Sequence, residues 1–363
     1  MNRKKLYMQN AIDLAIKGKY TTSPNPNVGC IIVEGNKILS KSYHCKSGKD
    51  HAEVIALKNL KKKVNKKMVM YINLEPCCHT GKTGPCTKTI IDSGIKNIEI
   101  AMLDPNPVVK GKGVKELRKN GINVSIGLCK NEAIKINEDF ITRHKKNRPY
   151  IVLKQAISTD FRITNPKSKW ISSNLSREDS HFHRAESCAI LIGSNTVRKD
   201  DPKLNVRLSK EKLLVSGSIR QPIKVILDSR LTLNINRYNV FGGKTKKIIF
   251  NSVKTKSDHK RNIDYIKVKK EKIGLDLNLI MKILANDYEI KRLLVEPGKE
   301  LFSNFLSKEI FDEIIYYKSP VFVGNSGLHN MNTKKSYLKN KFLILDSVKI
   351  LSNDVKIRYK LKE

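Results

Sequence analysis

Apolar and polar residues alternate along this chain with two periods, one typical of helices and one typical of strands. The apolar positions from Leu6 to Ile16 repeat on one face of a helix. Residues 28–33 form an apolar run, and residues 37–44 suit a hairpin partner across a Glu-Gly-Asn turn. Further strands are predicted at residues 68–74, 97–103 and 122–126, and further helices near residue 51, at 87–93, around 114–119 and after 131. This alternation predicts an α/β sandwich with a largely parallel sheet.

A basic polar stretch at residues 143–149 separates this pattern from a second one. The second pattern predicts strands at residues 151–157, 189–193, 223–227, 247–250, 293–296 and 313–323, helices at 176–185, 275–285 and 301–306, and loops near 208–220 and 252–262. A chain of 363 residues is also longer than one hydrophobic core usually supports. We therefore expect two α/β domains, at residues 1–146 and 149–363.

The formal net charge of +37 raises the question of a nucleic-acid partner. The excess lysine is spread along the whole chain, which is typical of a compositional bias, so we do not expect nucleic acid as a partner. No apolar run approaches the ~20 residues of a membrane span, and no signal peptide follows the basic start. We expect a cytoplasmic protein without membrane contact, and a homo-oligomer is left open.

Three short motifs point to a metal site: His51-Ala52-Glu53, Pro76-Cys77 and Gly84-Pro85-Cys86. One histidine and two cysteines can hold a Zn²⁺ ion and leave its fourth position open for water, and Glu53 is spaced to move protons there. This layout matches the known signature of zinc nucleobase deaminases. The alternative is a closed structural zinc site with Cys78 or His79 as the fourth ligand.

The longer motifs around these residues resemble a known family. The segments are TSPNPNVGC at residues 22–30, HAEV at 51–54, LEPCCHTGKTGPC at 74–86 and DPNP at 104–107. Together they resemble the bifunctional riboflavin-biosynthesis deaminase/reductases. The resemblance implies a cytidine-deaminase-like α/β/α sandwich, a phosphorylated pyrimidine as substrate, and a substrate border at residues 24–27.

The second half shows no G-x-G-x-x-G motif, so spacing alone locates no nucleotide site. Its similarity to the family's reductase half, in order along the chain, implies a dihydrofolate-reductase-like domain that uses NADPH. Carried over, the cofactor-binding residues are Ala156, Trp170, Thr196, Asp200, Ser229, Gly298, Lys299, Glu300, Leu301, Phe302, Ser303 and Asn304. The substrate-binding residues are Ser168, Arg184, Leu204, Arg207 and Glu296. As alternatives, Trp170 belongs to the core, and Arg184 pairs with Glu186 or Glu178 along a helix.

Two positions depart from the family pattern. Phe161 stands where the family usually has glycine, and Pro297 replaces a small residue. Glycine permits a positive φ that we do not expect of phenylalanine, so we expect Phe161 to pack as a new wall in a rearranged loop. Proline removes a backbone N–H donor beside Gly298.

The function that this resemblance implies consists of two steps of riboflavin synthesis. We expect the first domain to deaminate a diaminopyrimidinone ribosyl phosphate with one Zn²⁺ ion, and the second to reduce the ribosyl chain to ribityl with NADPH. Two alternatives compete with it. The zinc site and the basic charge suit a deaminase acting on nucleic acid, whereas Phe161 and Pro297 suit a deaminase with a decayed, non-catalytic second domain.

Overall fold

The computed structural model describes residues 3–81, 83–332, 337–338 and 342–362. The chain divides into two units, Met1–Asn147 and Arg148–Glu363. Among the described residues, no helix combines the length and the apolar content that crossing a bilayer requires.

The first unit alternates helices and strands. Its helices are α1 (Arg3–Ile16), α2 (Ala52–Lys58), α3 (Cys86–Ser93), α4 (Lys112–Lys119), α5 (Lys130–Lys135) and α6 (Glu138–Lys146). Its strands are β1 (Gly29–Glu34), β2 (Lys37–Tyr43), β3 (Met68–Ile72), β4 (Asn97–Ile100) and β5 (Asn123–Ile126). The strands form one sheet in the order β2-β1-β3-β4-β5.

Helices cover both faces of this sheet, and each face has its own apolar core. Helix α1 lies so close to β1 that a Cβ atom on Gly29 would stand 2.0 Å from the carbonyl oxygen of Ala11. Only glycine permits that approach. The prediction of a largely parallel sheet is wrong, since β1 pairs antiparallel with both β2 and β3 while only β3-β4 and β4-β5 are parallel. The hairpin at the start of the unit supplies the antiparallel half.

The second unit has a larger mixed sheet. Its helices are α7 (Asn174–Glu186), α8 (Ser194–Asp200), α9 (Lys210–Leu213), α10 (Leu277–Asn286) and α11 (Lys299–Ser307), with 3₁₀ turns at Asn239–Phe241 and Gly324–Ser326. Its strands are β6 (Tyr150–Ile157), β7 (Ala189–Gly193), β8 (Ile223–Leu227), β9 (Lys247–Asn251), β10 (Lys256–Asp258), β11 (Ile263–Lys267), β12 (Arg292–Val295), β13 (Glu313–Lys318), β14 (Phe342–Leu351) and β15 (Asp354–Lys362).

The order in this sheet is β10-β11-β9-β8-β7-β12-β6-β13-β15-β14. The strands from β11 to β13 run parallel, and antiparallel hairpin strands stand at both edges. Several expectations were wrong in detail. The predicted strand at 313–323 ends at Lys318, the loops predicted at 208–220 and 252–262 contain α9 and β10, and the sequence did not predict β11, β14 or β15.

Candidate deaminase and reductase sites

The predicted zinc ligands come together at the ends of three segments of the first unit. His51 directly precedes α2, Cys86 is the first residue of α3, and Cys77 lies in the loop after β3. The Nδ1 atom of His51 lies 3.2 Å from Sγ of Cys86 and 3.6 Å from Sγ of Cys77. One imidazole and two thiol ligands within 4.8 Å of one another fit Zn²⁺.

The group contains three ligands among the described residues, and neither Cys78 nor His79 belongs to it. A closed structural site would need a fourth protein ligand. Three protein ligands are instead typical of catalytic zinc sites, in which the remaining position is left for water or substrate. The geometry therefore favours the catalytic interpretation of this cluster.

Glu53 lies beside the cluster as the second residue of α2. Its side chain is 3% exposed, and one carboxylate oxygen, Oε2, has no hydrogen-bond partner in the part of the chain that the structure describes. Burial raises the pKa of Glu53, although the His51 charge opposes the shift. A buried carboxylate with an unused oxygen and a raised pKa is suited to accepting and releasing a proton.

The two cysteines of the cluster differ in their environment. Hydrogen bonding from the Cys86 thiol lowers the pKa of Cys77 to about 4, and His51 adds to the effect. The backbone N–H of Cys86 also donates to Sγ of Cys77 over 3.4 Å. Because α3 begins at Cys86, its first backbone amide points at the Cys77 sulfur, and Cys77 is thus prepared as a thiolate ligand.

A series of side-chain contacts connects the loop at residues 24–27 to the metal cluster. Nδ2 of Asn25 lies 3.1 Å from Nε2 of His44, and the His44 ring stands edge-on to the His51 ring with 5.0 Å between centroids. The other nitrogen of His44 lies 3.1 Å from the carbonyl oxygen of Asp50, the residue before His51. His44 is not recognisable from the sequence, because a lone histidine at a strand end carries no spacing signal.

Glu75 fixes the segment that leads to Cys77. Its carboxylate accepts hydrogen bonds from the backbone N–H groups of Asp104, Gly111 and Val114, at 3.1, 3.0 and 3.0 Å. A Cβ atom on Gly113 would lie 2.3 Å from the carbonyl oxygen of Pro76, so glycine lets α4 begin close to the ligand loop. This bonding explains why a buried glutamate precedes the Pro-Cys motif.

In the second unit, the predicted residues gather where parallel strands end. Strands β8, β7, β12 and β6 are neighbours in the sheet. Ala156 lies near the end of β6, Thr196 follows β7 in α8, Ser229 follows β8 and Glu296 follows β12. The carboxyl ends of parallel strands are the usual place of ligand sites in such sheets. Because these residues are far apart in sequence, only the fold brings them together.

An ion pair lies at this edge. Arg184 of α7 donates from Nε and Nη2 to the two carboxylate oxygens of Glu296, each over 2.9 Å, and from Nη1 to the carbonyl oxygen of Asn205 over 3.2 Å. Lys154 of β6 lies 3.6 Å from the same carboxylate. The alternative pairing of Arg184 with Glu186 or Glu178 is therefore wrong. Nearby charges of Arg184 and Arg207 add to the burial that lowers the pKa of His181 to about 4.

The segment from Gly298 to Asn304 forms the start of α11. Gly298 is the N-cap, and no side chain caps the helix there in the described part of the molecule. The Thr196 hydroxyl oxygen lies 3.7 Å from where a Gly298 Cβ atom would stand. Uncapped amide groups at a helix start suit a phosphate, so the segment fits a dinucleotide cofactor. Lys299, Glu300 and Leu301 are in this first turn.

The side chains of the later residues in that segment are buried in the interior of the second unit. Phe302 is fully buried in the core, Ser303 Oγ accepts from the N–H of Asn332 over 2.8 Å, and Asn304 donates to the carbonyl oxygen of Ile273 over 3.1 Å. Leu204 is likewise buried, with its backbone in the left-handed region at φ +49°. The structure therefore assigns these four side chains to internal contacts, and only their backbone atoms are left for a ligand.

Trp170 is not a core residue. Its ring is 52% exposed and lies under the Arg177 guanidinium at 4.7 Å, while the Ser168 hydroxyl donates to the Trp170 carbonyl oxygen over 3.0 Å. Arg207 is exposed as well, and so is Asp200, the last residue of α8. These exposed groups remain candidates for direct contact with substrate or cofactor.

The expectation for Phe161 is also wrong. The residue adopts φ +59°, so phenylalanine takes the left-handed conformation that glycine would favour. Its ring is 42% exposed and lies 5.1 Å from the Lys318 ammonium. The loop therefore keeps its turn, and the ring does not form a buried wall. Pro297 is buried, and its carbonyl oxygen accepts from the Gln155 amide over 3.1 Å.

Comparisons with known proteins agree over nearly the full length. The model of the RibD C-terminal domain matches residues 149–357, and that of the cytidine and deoxycytidylate deaminase zinc-binding region matches residues 1–102. Riboflavin biosynthesis protein RibD of Aquifex aeolicus is 40% identical over 322 residues, or 88% of each chain. That of Escherichia coli is 37% identical over 330 residues, again 88% of each.

The chain belongs to the RibD family. The solved structure of Acinetobacter baumannii RibD matches with a TM-score of 0.88 and 32% identity, covering 99% of this chain and 98% of that one. A Thermotoga maritima structure matches with a TM-score of 0.84, 32% identity and 98% of each chain. That protein is described as a diaminohydroxyphosphoribosylaminopyrimidine deaminase and 5-amino-6-(5-phosphoribosylamino)uracil reductase.

RibD membership confirms the resemblance, the fold class and the two activities that the sequence predicts. The chain is a bifunctional deaminase and reductase of riboflavin biosynthesis, with a zinc-binding deaminase domain followed by the NADPH-dependent RibD reductase domain. The roles of single residues and the domain limits at 146 and 149 stay predictions, to which the arrangement above gives a physical basis.

Proposed function

We propose that the first unit removes the 2-amino group of 2,5-diamino-6-ribosylamino-4(3H)-pyrimidinone 5′-phosphate by hydrolysis. The second unit then reduces the product, 5-amino-6-(5-phosphoribosylamino)uracil, to its ribityl form. The observation that carries the first step is the free Oε2 oxygen of buried Glu53 beside the His51, Cys77 and Cys86 ligand set. The Thermotoga maritima relative is described as a deaminase and a reductase of these two compounds, which supports the same pair of reactions for this chain.

In the deamination, His51, Cys77 and Cys86 would hold Zn²⁺, which would make a water molecule acidic enough to lose a proton near neutral pH. Glu53 would accept a proton from water and give it to the departing amino group, so that a carbonyl replaces the C–N bond and ammonia leaves. The raised pKa of Glu53 favours the second transfer, because a carboxyl group that holds its proton weakly would not protonate the leaving nitrogen.

In the reduction, NADPH would supply a hydride to C1′, the sugar carbon bonded to the exocyclic 6-amino nitrogen. The C1′–O4′ bond breaks as the sugar opens to the imine, and a proton from water completes the reduced amine. The edge residues of the second unit position the substrate. Arg184 is held by Glu296, and Arg207 is exposed beside it, so the guanidinium groups present donors to the substrate phosphate. The uncapped start of α11 at Gly298 and the Thr196 hydroxyl would receive the cofactor.

Neither alternative function is favoured. A nucleic-acid deaminase needs no second unit with the RibD reductase fold, which here spans residues 149–357. A decayed second domain would not need the paired Arg184 and Glu296 at its strand ends. Family membership and the Arg184–Glu296 pair at the strand ends of the second unit both support two working sites.

The test is to assay both half-reactions on one preparation of the purified chain. We expect ammonia release from the diaminopyrimidine substrate and NADPH oxidation with the deaminated product. Ammonia release without any NADPH oxidation would support the decayed-domain alternative. Release from RNA or DNA but not from the mononucleotide would support the nucleic-acid alternative. We further propose a cytoplasmic location and a homo-oligomeric assembly.

A further inference from the structure

A pocket of about 710 Å³ lies at the amino ends of β9 and β11 in the second unit. One wall is the chain that leads into β9, residues 235–239 and 241–244, and the other is the turn before β11, residues 259–262. Because these strands run parallel to β8 and β12, the pocket lies at the opposite edge of the sheet from Ser229 and Glu296. A five-residue strand such as β9 is about 16 Å long, so the pocket is separate from the candidate reductase site.

The charged side chains that line the pocket are all positive. Three of them are exposed, Lys244, Lys260 and Arg261, and we call these the rim residues. The fourth, Lys247, is 1% exposed. None of the four forms an ion pair with a carboxylate among the residues that the structure describes. A concave surface lined by charges of one sign concentrates the electric field and attracts ions of the opposite sign.

Lys247 connects the two walls of the pocket. Its ammonium donates to the carbonyl oxygen of Gly243 in one wall over 2.5 Å, and to that of Arg261 in the other wall over 3.2 Å. The side chain of Asn262 donates to the carbonyl oxygen of Lys244 over 3.1 Å across the same gap. The walls are therefore held in place. An ammonium group has three N–H donors, so Lys247 has one left for a ligand.

A second buried ammonium group lies next to the first. Lys224 of β8 is the partner of Lys247 in the parallel ladder with β9, and its ammonium donates to the carbonyl oxygens of Val240 and Gly242 over 2.8 and 3.1 Å. Burial lowers the pKa of Lys224 to about 8, and the charge of Lys247 adds to the shift. Buried charges in proteins are generally paired with an opposite charge. Two neighbouring ammonium groups bonded only to carbonyl oxygens indicate that an anion completes this region.

We propose that the pocket binds a polyphosphate anion, a chain of two or three phosphate groups that is either free or part of a nucleotide. A phosphate group carries about −1.5 to −2 charges at pH 7, so the rim residues and Lys247 together supply enough charge for more than one. The volume falls within the ~300–1,000 Å³ that is usual for small-molecule sites and exceeds the needs of a single phosphate. Arg261 offers a guanidinium group for bidentate contact with phosphate oxygens, and the lysines act as point charges.

A nucleic acid is the main competing partner, because the chain has a net charge of +37. Nucleic acids are bound mainly through cations that follow a long phosphate backbone. Here the cations converge from two walls on one concave pocket, and Lys247 holds these walls together. This arrangement favours a compact anion. The inference goes beyond both proposed activities and does not depend on either.

The test is isothermal titration calorimetry of the full chain with sodium tripolyphosphate. In about 0.15 M salt, charges more than about 8 Å apart are largely screened, so diffuse attraction contributes little. We expect one anion per chain, and a dissociation constant raised at least about tenfold by Lys260→Gln together with Arg261→Gln. The matched control is Lys256→Gln together with Lys267→Gln. It removes the same charge from exposed positions of β10 and β11 outside the pocket, and should leave the dissociation constant unchanged.

Circular dichroism and the thermal midpoint check that both double variants fold. If the rim variant does not fold, Lys244→Gln together with Lys260→Gln provides the same test. ATP is titrated in parallel: binding of ATP that the rim variant weakens assigns the pocket to the phosphates of a nucleotide, and binding of tripolyphosphate alone assigns it to a free polyphosphate.

Three results would overturn the proposal. The first is no binding of either anion, or equal weakening in the rim variant and its control. The second is competition by saturating NADPH, which would place the anion at the cofactor site instead. The third is tighter binding of a short DNA duplex that the rim variant abolishes, which would assign these cations to a nucleic acid.

Discussion

Arg184 and Glu296 form a bidentate ion pair between α7 and the end of β12, with both hydrogen bonds at 2.9 Å. The pair fixes the guanidinium plane, while Lys154 shares the carboxylate. Burial alone raises the pKa of Glu296, but the Arg184 and Lys154 charges outweigh it and hold this pKa well below its usual range. Removing one partner therefore leaves a buried charge, which is costly.

Arg184→Ala should weaken the reductase step and spare deamination. Loss of a charge-assisted hydrogen bond to the substrate costs about 1.5–3 kcal/mol, or roughly tenfold to a hundredfold in kcat/KM. Arg184→Lys keeps the charge but not the bidentate hydrogen bonding of the guanidinium, and should recover only part of the lost kcat/KM. Steady-state NADPH oxidation gives the values. The control is Arg237→Ala, an exposed arginine away from the strand ends, and an equal loss there would contradict the assignment.

The same pair predicts how stability depends on pH. Because the pKa of Glu296 is lower in the folded state, its contribution is fully present above the unfolded value of about 4.3 and disappears as the pH falls below it. Urea unfolding followed by the single tryptophan, Trp170, reports on this unit. We expect the free energy of unfolding to fall below about pH 5, and to fall less steeply in Arg184→Met. Identical slopes would show that the pair does not govern acid stability.

Metal content should depend on both predicted cysteine ligands. We expect about one Zn²⁺ per chain, since His51, Cys77 and Cys86 form one ligand set. Cys77→Ala or Cys86→Ala should lose the ion, whereas Cys78→Ala should keep it, because Cys78 lies next to the ligand but outside the cluster. Atomic absorption on the three variants is the measurement. Zinc retained in both ligand variants would place the ion elsewhere.

Glu53→Gln tests the proton carrier separately from the metal. The amide keeps the shape of the side chain and cannot accept a proton, so deamination should fall by roughly 10² or more. Zinc content should stay unchanged, and so should reduction of the deaminated product. Ammonia release is the readout. A variant that releases ammonia at nearly the normal rate would assign the proton transfer to another group.

The zinc site could be predicted from sequence because its ligands sit in short motifs with fixed spacing. The reductase site was predicted only through the family resemblance and not from spacing, because Arg184 and Glu296 are 112 residues apart and meet only through the order of the sheet. His44 gave no signal, since its role depends on a ring contact with His51. The hairpin of β14 and β15 was not predicted because β14 carries apolar residues on both faces, which obscures the period of two.

Phe161 allows a direct measurement of backbone strain. Its φ of +59° lies where residues other than glycine pay a cost of about 1 kcal/mol or more. Phe161→Ala removes the ring and its contact with Lys318 but keeps that cost, whereas Phe161→Gly removes both. The glycine variant should therefore be more stable than the alanine variant by about 1 kcal/mol, despite the greater flexibility of its unfolded chain. Urea unfolding of the second unit measures the difference.

The same two variants decide whether the phenylalanine obstructs the reductase. Because the ring is 42% exposed and lies over Lys318, its removal should leave NADPH affinity unchanged in both variants. A fluorescence titration with NADPH checks this. Clearly tighter binding in both would mean that the ring crowds the cofactor. An alanine variant at least as stable as the glycine variant would mean that residue 161 is not held in the left-handed conformation, because the backbone cost is the one difference that favours glycine.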